Sequence, residues 1–101
     1  MEQDNNLIQF YGIKPTKALL GFVKKKVEKW IAREQSLLFL PKVSNYSVNI
    51  ERDVDSRDPF YSCHIRVTIG TRVFESRHSA EAAQEAVLQA LRSMRSNLAF
   101  A

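Results

Sequence analysis

Three strand-like segments followed by a helix, within residues 46–91, constrain this chain more than any other feature. In the middle segment Cys63, Ile65 and Val67 alternate with polar residues, which is the pattern of a strand with one buried face. Gly70 suits the first position of a two-residue turn between antiparallel strands. Beyond the third segment, apolar residues recur at helical spacing. The pattern predicts a helix packed on an antiparallel sheet.

The first helix is predicted over residues 16–34, with its apolar side chains in an arc of roughly 120°, the width of a core-facing stripe. On the remaining surface Lys25, Lys29 and Arg33 stack at i, i+4 and i+8. Such a ridge suits a phosphate backbone, because a nucleic acid is held mainly through its charge. The candidate nucleic-acid contacts on this helix are Lys17, Phe22, Lys25, Lys26, Lys29 and Arg33.

The predicted fold is α+β with the order α-β-β-β-α, a three-stranded antiparallel sheet with both helices on one face. Residues 1–12 are predicted to form a flexible N-terminal segment and residues 13–98 a single domain. The segment 7–11 is expected to stay outside the sheet, because Asn5-Asn6 and Gly12 bracket only five residues. The predicted shared core consists of Val23, Trp30, Ile65, Val67, Val87 and Leu91.

Composition argues against an enzyme and against a bound cofactor or metal. A chain of 101 residues is too small for an enclosed multi-substrate site. Its two histidines, His64 and His78, lack partners at metal-ligand spacing, and its three glycines are too far apart for a phosphate loop. The glutamates, Glu34 among them, are interpreted as surface acids. A binding protein is therefore expected.

The expected location is intracellular, cytoplasmic or nuclear, with no membrane partner. No apolar run approaches the length of a membrane span, and the first six residues are polar and acidic, unlike a signal peptide. Cys63 is the single cysteine, which excludes an internal disulfide and suits a reducing compartment. Fifteen Lys and Arg residues against eleven Asp and Glu residues give a net charge of +4, which favours an anionic partner.

The chain resembles the double-stranded-RNA-binding domain family, on Pro15 and Leu19 at the first helix, residues 60–70 at the second strand and turn, and residues 76–91 at the last helix. The resemblance implies shape-selective binding of double-stranded RNA, through phosphates and 2′-hydroxyls, without catalysis. It also implies RNA contacts outside the first helix, in the loop between strands one and two and at the start of the last helix. The residues at those places are Arg52, Arg57, Arg77 and His78.

The chain also resembles the short bacterial ribosome-hibernation factors, which place an extra strand before the first helix. Residues 7–11 are placed to form that strand, and residues 18–27 are similar to the long basic first helix of those factors. This alternative implies a ribosome-associated protein whose partner is structured ribosomal RNA. The double-stranded-RNA-binding interpretation is preferred on the match over residues 60–91.

A third alternative is a protein-interaction module on the same fold. Trp30, Ile31 and the apolar run 37–40 would then extend beyond the core as a patch that binds a second copy or another protein. Under this hypothesis the chain is a homodimer or has a protein partner, and its cations do not contribute to binding.

Overall fold

The computed structural model describes residues 7–38, 43–53 and 60–99 and has an α+β fold. The α+β class is confirmed, but the sheet has four strands in the order β1-β2-β3-β4, where three were predicted. The elements are β1 (Leu7–Tyr11), α1 (Lys17–Leu38), β2 (Val43–Asp53), β3 (Phe60–Ile69), β4 (Arg72–Ala80) and α2 (Ala83–Ala99).

The additional strand is β1, which pairs parallel with β2 from Leu7 opposite Ser47 to Tyr11 opposite Glu51. The prediction that this segment stays outside the sheet is therefore wrong. Its inward side chains, Ile8 and Phe10, pack against the core, and α1 supplies the crossover that a parallel pair requires. Burial of those side chains offsets the short length of the strand.

Strands β2, β3 and β4 form an antiparallel meander, as predicted. The register runs from Asp53 opposite Phe60 to Val43 opposite Ile69, with an irregularity between Val43 and Asn45. Gly70 lies in the two-residue turn between β3 and β4 and has a φ of 63°, which the first residue of such a hairpin turn requires. The two-residue hairpin is thus confirmed.

The core lies between one face of the sheet and the two helices. Of the six predicted core residues, five are buried and Trp30 is only half-buried at its margin. Small residues along α2 allow it to lie close to the strands. The buried apolar residues are Val23, Val27, Tyr46, Val48, Ile50, Cys63, Ile65, Val67, Ile69, Ala83, Ala86, Val87, Ala90, Leu91 and Met94.

The last helix begins later than predicted, because β4 continues to Ala80. Arg77 and His78 therefore belong to a strand, paired with His64 and Cys63 of β3, and not to the start of a helix. The sequence of β4 does not alternate between apolar and polar residues, because some side chains on its core-facing side are polar. One of these, Ser76, is buried and donates a hydrogen bond of 2.6 Å from Oγ to the carbonyl oxygen of Ala90, so it joins β4 to α2.

Cys63 lies on the buried face of β3 with no exposed surface, and burial raises the pKa of its thiol to about 12. The thiolate is the reactive form, so almost none exists in the folded protein near neutral pH. We expect Cys63 to resist a thiol reagent at pH 8 and to react at once in denaturant, as followed by mass spectrometry. Rapid labelling in native buffer would contradict this burial.

Candidate nucleic-acid interface

A groove of about 420 Å³ lies between α1 and α2, which pack on one face of the sheet. The opposite face of the sheet is called the open face below. Its walls come from two helices that share one core, so their positions are fixed by packing and do not depend on a loop. The residues that line it are Lys26, Lys29, Trp30, Arg33, Glu34, Leu88, Leu91, Arg92 and Arg95.

The rim of this groove is cationic on both sides. Lys26, Lys29 and Arg33 share one face of α1 because they lie at i, i+3 and i+7, and all three are exposed. Arg92 and Arg95 lie at i and i+3 on α2 and face them. Five positive side chains thus surround one concave surface, which makes it attractive to an anionic ligand.

Glu34 is the one acid among the described residues that line the groove, and it is 2 % exposed. Its interpretation as a surface acid is wrong, because α2 covers it. Arg95 Nε lies 3.5 Å from Glu34 Oε2, an oxygen with no hydrogen-bond partner among the described residues. This ion pair connects the two helices and holds Arg95 at the rim. Glu34 therefore offsets the charge of Arg95 and leaves the other four cations of the rim without an acidic partner among the described ion pairs.

The floor of the groove is apolar. Trp30 contributes the part of its side chain that the core leaves uncovered, and Leu88 and Leu91 contribute from α2. Leu88 is half-buried and Leu91 is buried. An apolar floor under a cationic rim suits a ligand with a flat uncharged part and negative groups at its edge.

The remaining candidates on α1 extend the cationic surface beyond the groove. Lys17 and Lys25 are exposed, but neither lines the groove. Phe22 is half-buried against the core, and the Nζ atom of Lys26 lies 5.8 Å from the centre of its ring. At that distance the ring and the ammonium group attract each other, so Phe22 helps to position Lys26.

Of the candidates outside α1, the three that the structure describes do not line the groove. Arg52 is exposed near the end of β2, and Arg57 lies outside the described residues. Arg77 is on the open face of the sheet, where its Nη2 atom lies 3.7 Å from Glu51 Oε2. His78 is half-buried on the inward side of β4. The prediction that Arg77 and His78 begin the last helix is therefore wrong, and a contact of either residue with RNA stays a prediction.

The open face of the sheet carries charges that are largely paired. Arg66 Nη2 lies 2.6 Å from Glu75 Oε1, and His64 Nε2 lies 3.9 Å from the other oxygen of that carboxylate. A shallow cavity of about 220 Å³ on this face includes Glu51 and Arg77, which pair with each other. The cations of this face are thus paired with acids, whereas four of the five cations around the groove have no acidic partner among the described ion pairs.

The structure describes only part of the apolar patch proposed for protein contact. Trp30 and Ile31 are both half-buried against the core, whereas residues 39 and 40 lie outside the described residues.

Within ranges 7–38, 43–53 and 60–99, no group of three His, Cys, Asp or Glu residues is arranged to hold a metal ion. Neither described helix has an apolar stretch of the length and character needed to cross a bilayer.

Sequence reasoning missed Arg92 and Arg95 as candidates. Their spacing of three residues places them on one helical surface, which is a signal visible in the sequence. Only the packing of α2 against α1 shows that this surface continues the ridge of Lys29 and Arg33. The assembled site is therefore a property of the helix pair.

Two solved structures have a similar fold. The "ribosomal subunit interface protein from Coxiella burnetii" superposes with a TM-score of 0.67 at 10 % identity, covering 93 % of this chain and 93 % of that one. The N-terminal domain of Thermus thermophilus Protein Y superposes with a TM-score of 0.66 at 15 % identity, covering 91 % of this chain and 90 % of that domain. No family model matches the sequence, and no curated protein matches it.

These comparisons correct the preferred interpretation of the sequence. The order β-α-β-β-β-α, with a strand before the first helix, differs from the α-β-β-β-α order of a double-stranded-RNA-binding domain. The similar structures are a ribosomal subunit interface protein and Protein Y. The interpretation as a double-stranded-RNA-binding protein is therefore wrong. The fold instead agrees with the alternative resemblance to ribosome-hibernation factors.

Proposed function

We propose that this protein is a non-catalytic ribosome-associated factor that binds structured ribosomal RNA through the groove between α1 and α2. The observation that carries the proposal is the set of five cations around that groove, contributed by both helices. The similarity of the whole fold to a protein described as a ribosomal subunit interface protein supports the choice of partner.

Binding would be mainly electrostatic. Arg33, Arg92 and Arg95 each present a planar guanidinium that can donate two parallel hydrogen bonds to a phosphate, and Lys26 and Lys29 add point charges. Each cation that meets a phosphate releases a condensed counterion, which makes association strong at low salt. The paired charges of the open sheet face release few counterions, so this face would point away from the RNA.

Co-sedimentation with purified ribosomal subunits tests the proposal. We expect the protein to pellet with subunits at 50 mM salt and to dissociate as salt rises. The logarithm of the binding constant should fall with the logarithm of salt concentration, with a slope of about −3 to −5 for five phosphate contacts. Failure to pellet at low salt, or a binding constant that does not change with salt concentration, would overturn the proposal.

A further inference from the structure

We propose that the groove between α1 and α2 takes one unpaired nucleotide, with its base stacked on Trp30 and its flanking phosphates held by the cations of the rim. This inference rests on the proposed function, because the same groove is the RNA-binding surface. It adds the class of RNA that the site selects, which is an unpaired segment and not a duplex.

The size of the groove favours a single nucleotide. Its volume of about 420 Å³ has room for one base, and the groove is open to solvent on one side, where the flanking phosphates could leave. A duplex presents phosphates on a broad convex surface and keeps its bases stacked inside, so it would contact the rim and leave the floor uncovered. An unpaired base has two free faces, so one of them can lie on the apolar floor of the groove.

Trp30 is placed to stack with such a base. It follows Lys26 by four residues and precedes Arg33 by three, so the three side chains share one face of α1. The ring is half-buried, with one part against the core and another part at the groove. Stacking on an aromatic side chain is worth roughly 1–3 kcal/mol per base and tolerates any base.

The cations are arranged to hold the phosphates on either side of that base. Lys26 and Arg33 stand on the α1 wall, and Arg92 and Arg95 stand on the α2 wall, so Trp30 lies between two positive edges. Arg95 is already held by the buried carboxylate of Glu34 at 3.5 Å, which reduces the entropy lost when it binds a ligand. A neutral ligand would gain nothing from these four charges.

The chain has one tryptophan, so emission excited at wavelengths that tyrosine does not absorb comes from Trp30 in this groove. The full chain should be titrated with three RNA probes: a seven-nucleotide single strand, the same strand with abasic sites, and a duplex of matched charge. We expect the single strand to quench the emission of Trp30 and to bind about tenfold or more tightly than the abasic strand, because only it can stack. Equal affinity and equal quenching for both strands would overturn the inference.

Two substitutions at Trp30 separate stacking from folding. Trp30→Leu keeps an apolar floor without a ring, and Trp30→Phe keeps a smaller ring at the same margin of the core. With labelled RNA and fluorescence anisotropy, we expect Trp30→Leu to lose about tenfold in affinity for the single strand and none for the abasic strand. Trp30→Phe should retain most of the preference. Leu20→Ala, at an exposed position on α1, is the matched control and should change neither affinity.

The outcomes distinguish this inference from the proposed function. If the protein pellets with ribosomal subunits but Trp30→Leu binds the single strand as tightly as the unaltered chain, the groove reads phosphates only and the inference is wrong. If the single strand quenches Trp30 but subunits do not bind, the nucleotide site stands and the ribosomal partner is wrong. An acidic peptide of matched charge that quenches Trp30 as strongly as RNA would also overturn the inference.

Discussion

Replacing Lys29 and Arg92 together with glutamine should weaken binding to ribosomal subunits by about 30-fold, or about 2 kcal/mol. The two residues stand on opposite walls of the groove, and neither has an acidic partner among the described ion pairs. A hydrogen bond to a charged group contributes about 1.5–3 kcal/mol, and exposure of both side chains to solvent lowers that value. Sedimentation over a range of salt concentrations measures the affinity, and the slope should fall by about 2.

The matched control removes the same charge from the opposite side of the molecule. Arg66 and Arg77 lie on the open face of the sheet and pair with Glu75 and Glu51. Replacing both with glutamine should reduce affinity by less than about threefold, because paired surface charges attract a distant phosphate weakly. Equal losses in the two double variants would show that net charge alone controls binding, and would contradict a site between the helices.

Replacing Ile65 with alanine should destabilise the protein by about 2–5 kcal/mol. Ile65 lies in the middle of β3, has no exposed surface and is one of the largest fully buried side chains. Truncation removes apolar contacts and leaves a cavity that the surrounding strands and α2 can fill only in part. Urea denaturation followed by circular dichroism measures the change in free energy of unfolding.

Val73 on the neighbouring strand provides the control, since 52 % of it is exposed. Val73→Ala should change the free energy of unfolding by less than about 0.5 kcal/mol, the usual range for a surface substitution. A loss under 1 kcal/mol for Ile65→Ala would mean that β3 does not face the core as its alternation indicates.

The sequence was sufficient to predict β3 and the meander around it because their signals are local. Each turn of the chain there joins neighbouring strands, and the alternation of Cys63, Ile65 and Val67 with polar residues indicates which face is buried. The same holds for the cationic surface of α1, whose exposed positions follow from helical spacing alone.

Strand β1 and the end of β4 could not be predicted in the same way. The partner of β1 lies about forty residues further along the chain, and no pattern within five residues shows that pairing. In β4 the inward positions include Ser76 and His78, so the strand lacks an apolar alternation. What keeps it a strand is its pairing with β3 as far as Ala80, together with the Ser76 hydrogen bond to α2.

Only the part of the candidate site that lies on α1 could be predicted from the sequence. The positive charge of α1 was evident from its sequence, but the groove exists only where α2 meets it. Glu34 illustrates the difference, because a glutamate near several cations on an exposed helix is normally solvated. Here the packing of α2 buries it, and Arg95 supplies its partner across the helix pair.

The parallel pairing of β1 with β2 has a consequence for the order in which the chain folds. Strands β2, β3 and β4 pair with their neighbours in sequence, whereas Leu7 of β1 pairs with Ser47 of β2 and all of α1 lies between them in the chain. Contacts between residues so distant in sequence carry a larger loop-closure entropy and form late. We expect β1 to dock last and, as an edge strand, to exchange its amide hydrogens sooner than β3. The ribosome would thus synthesise β1 before the other three strands, although β1 joins the sheet after them.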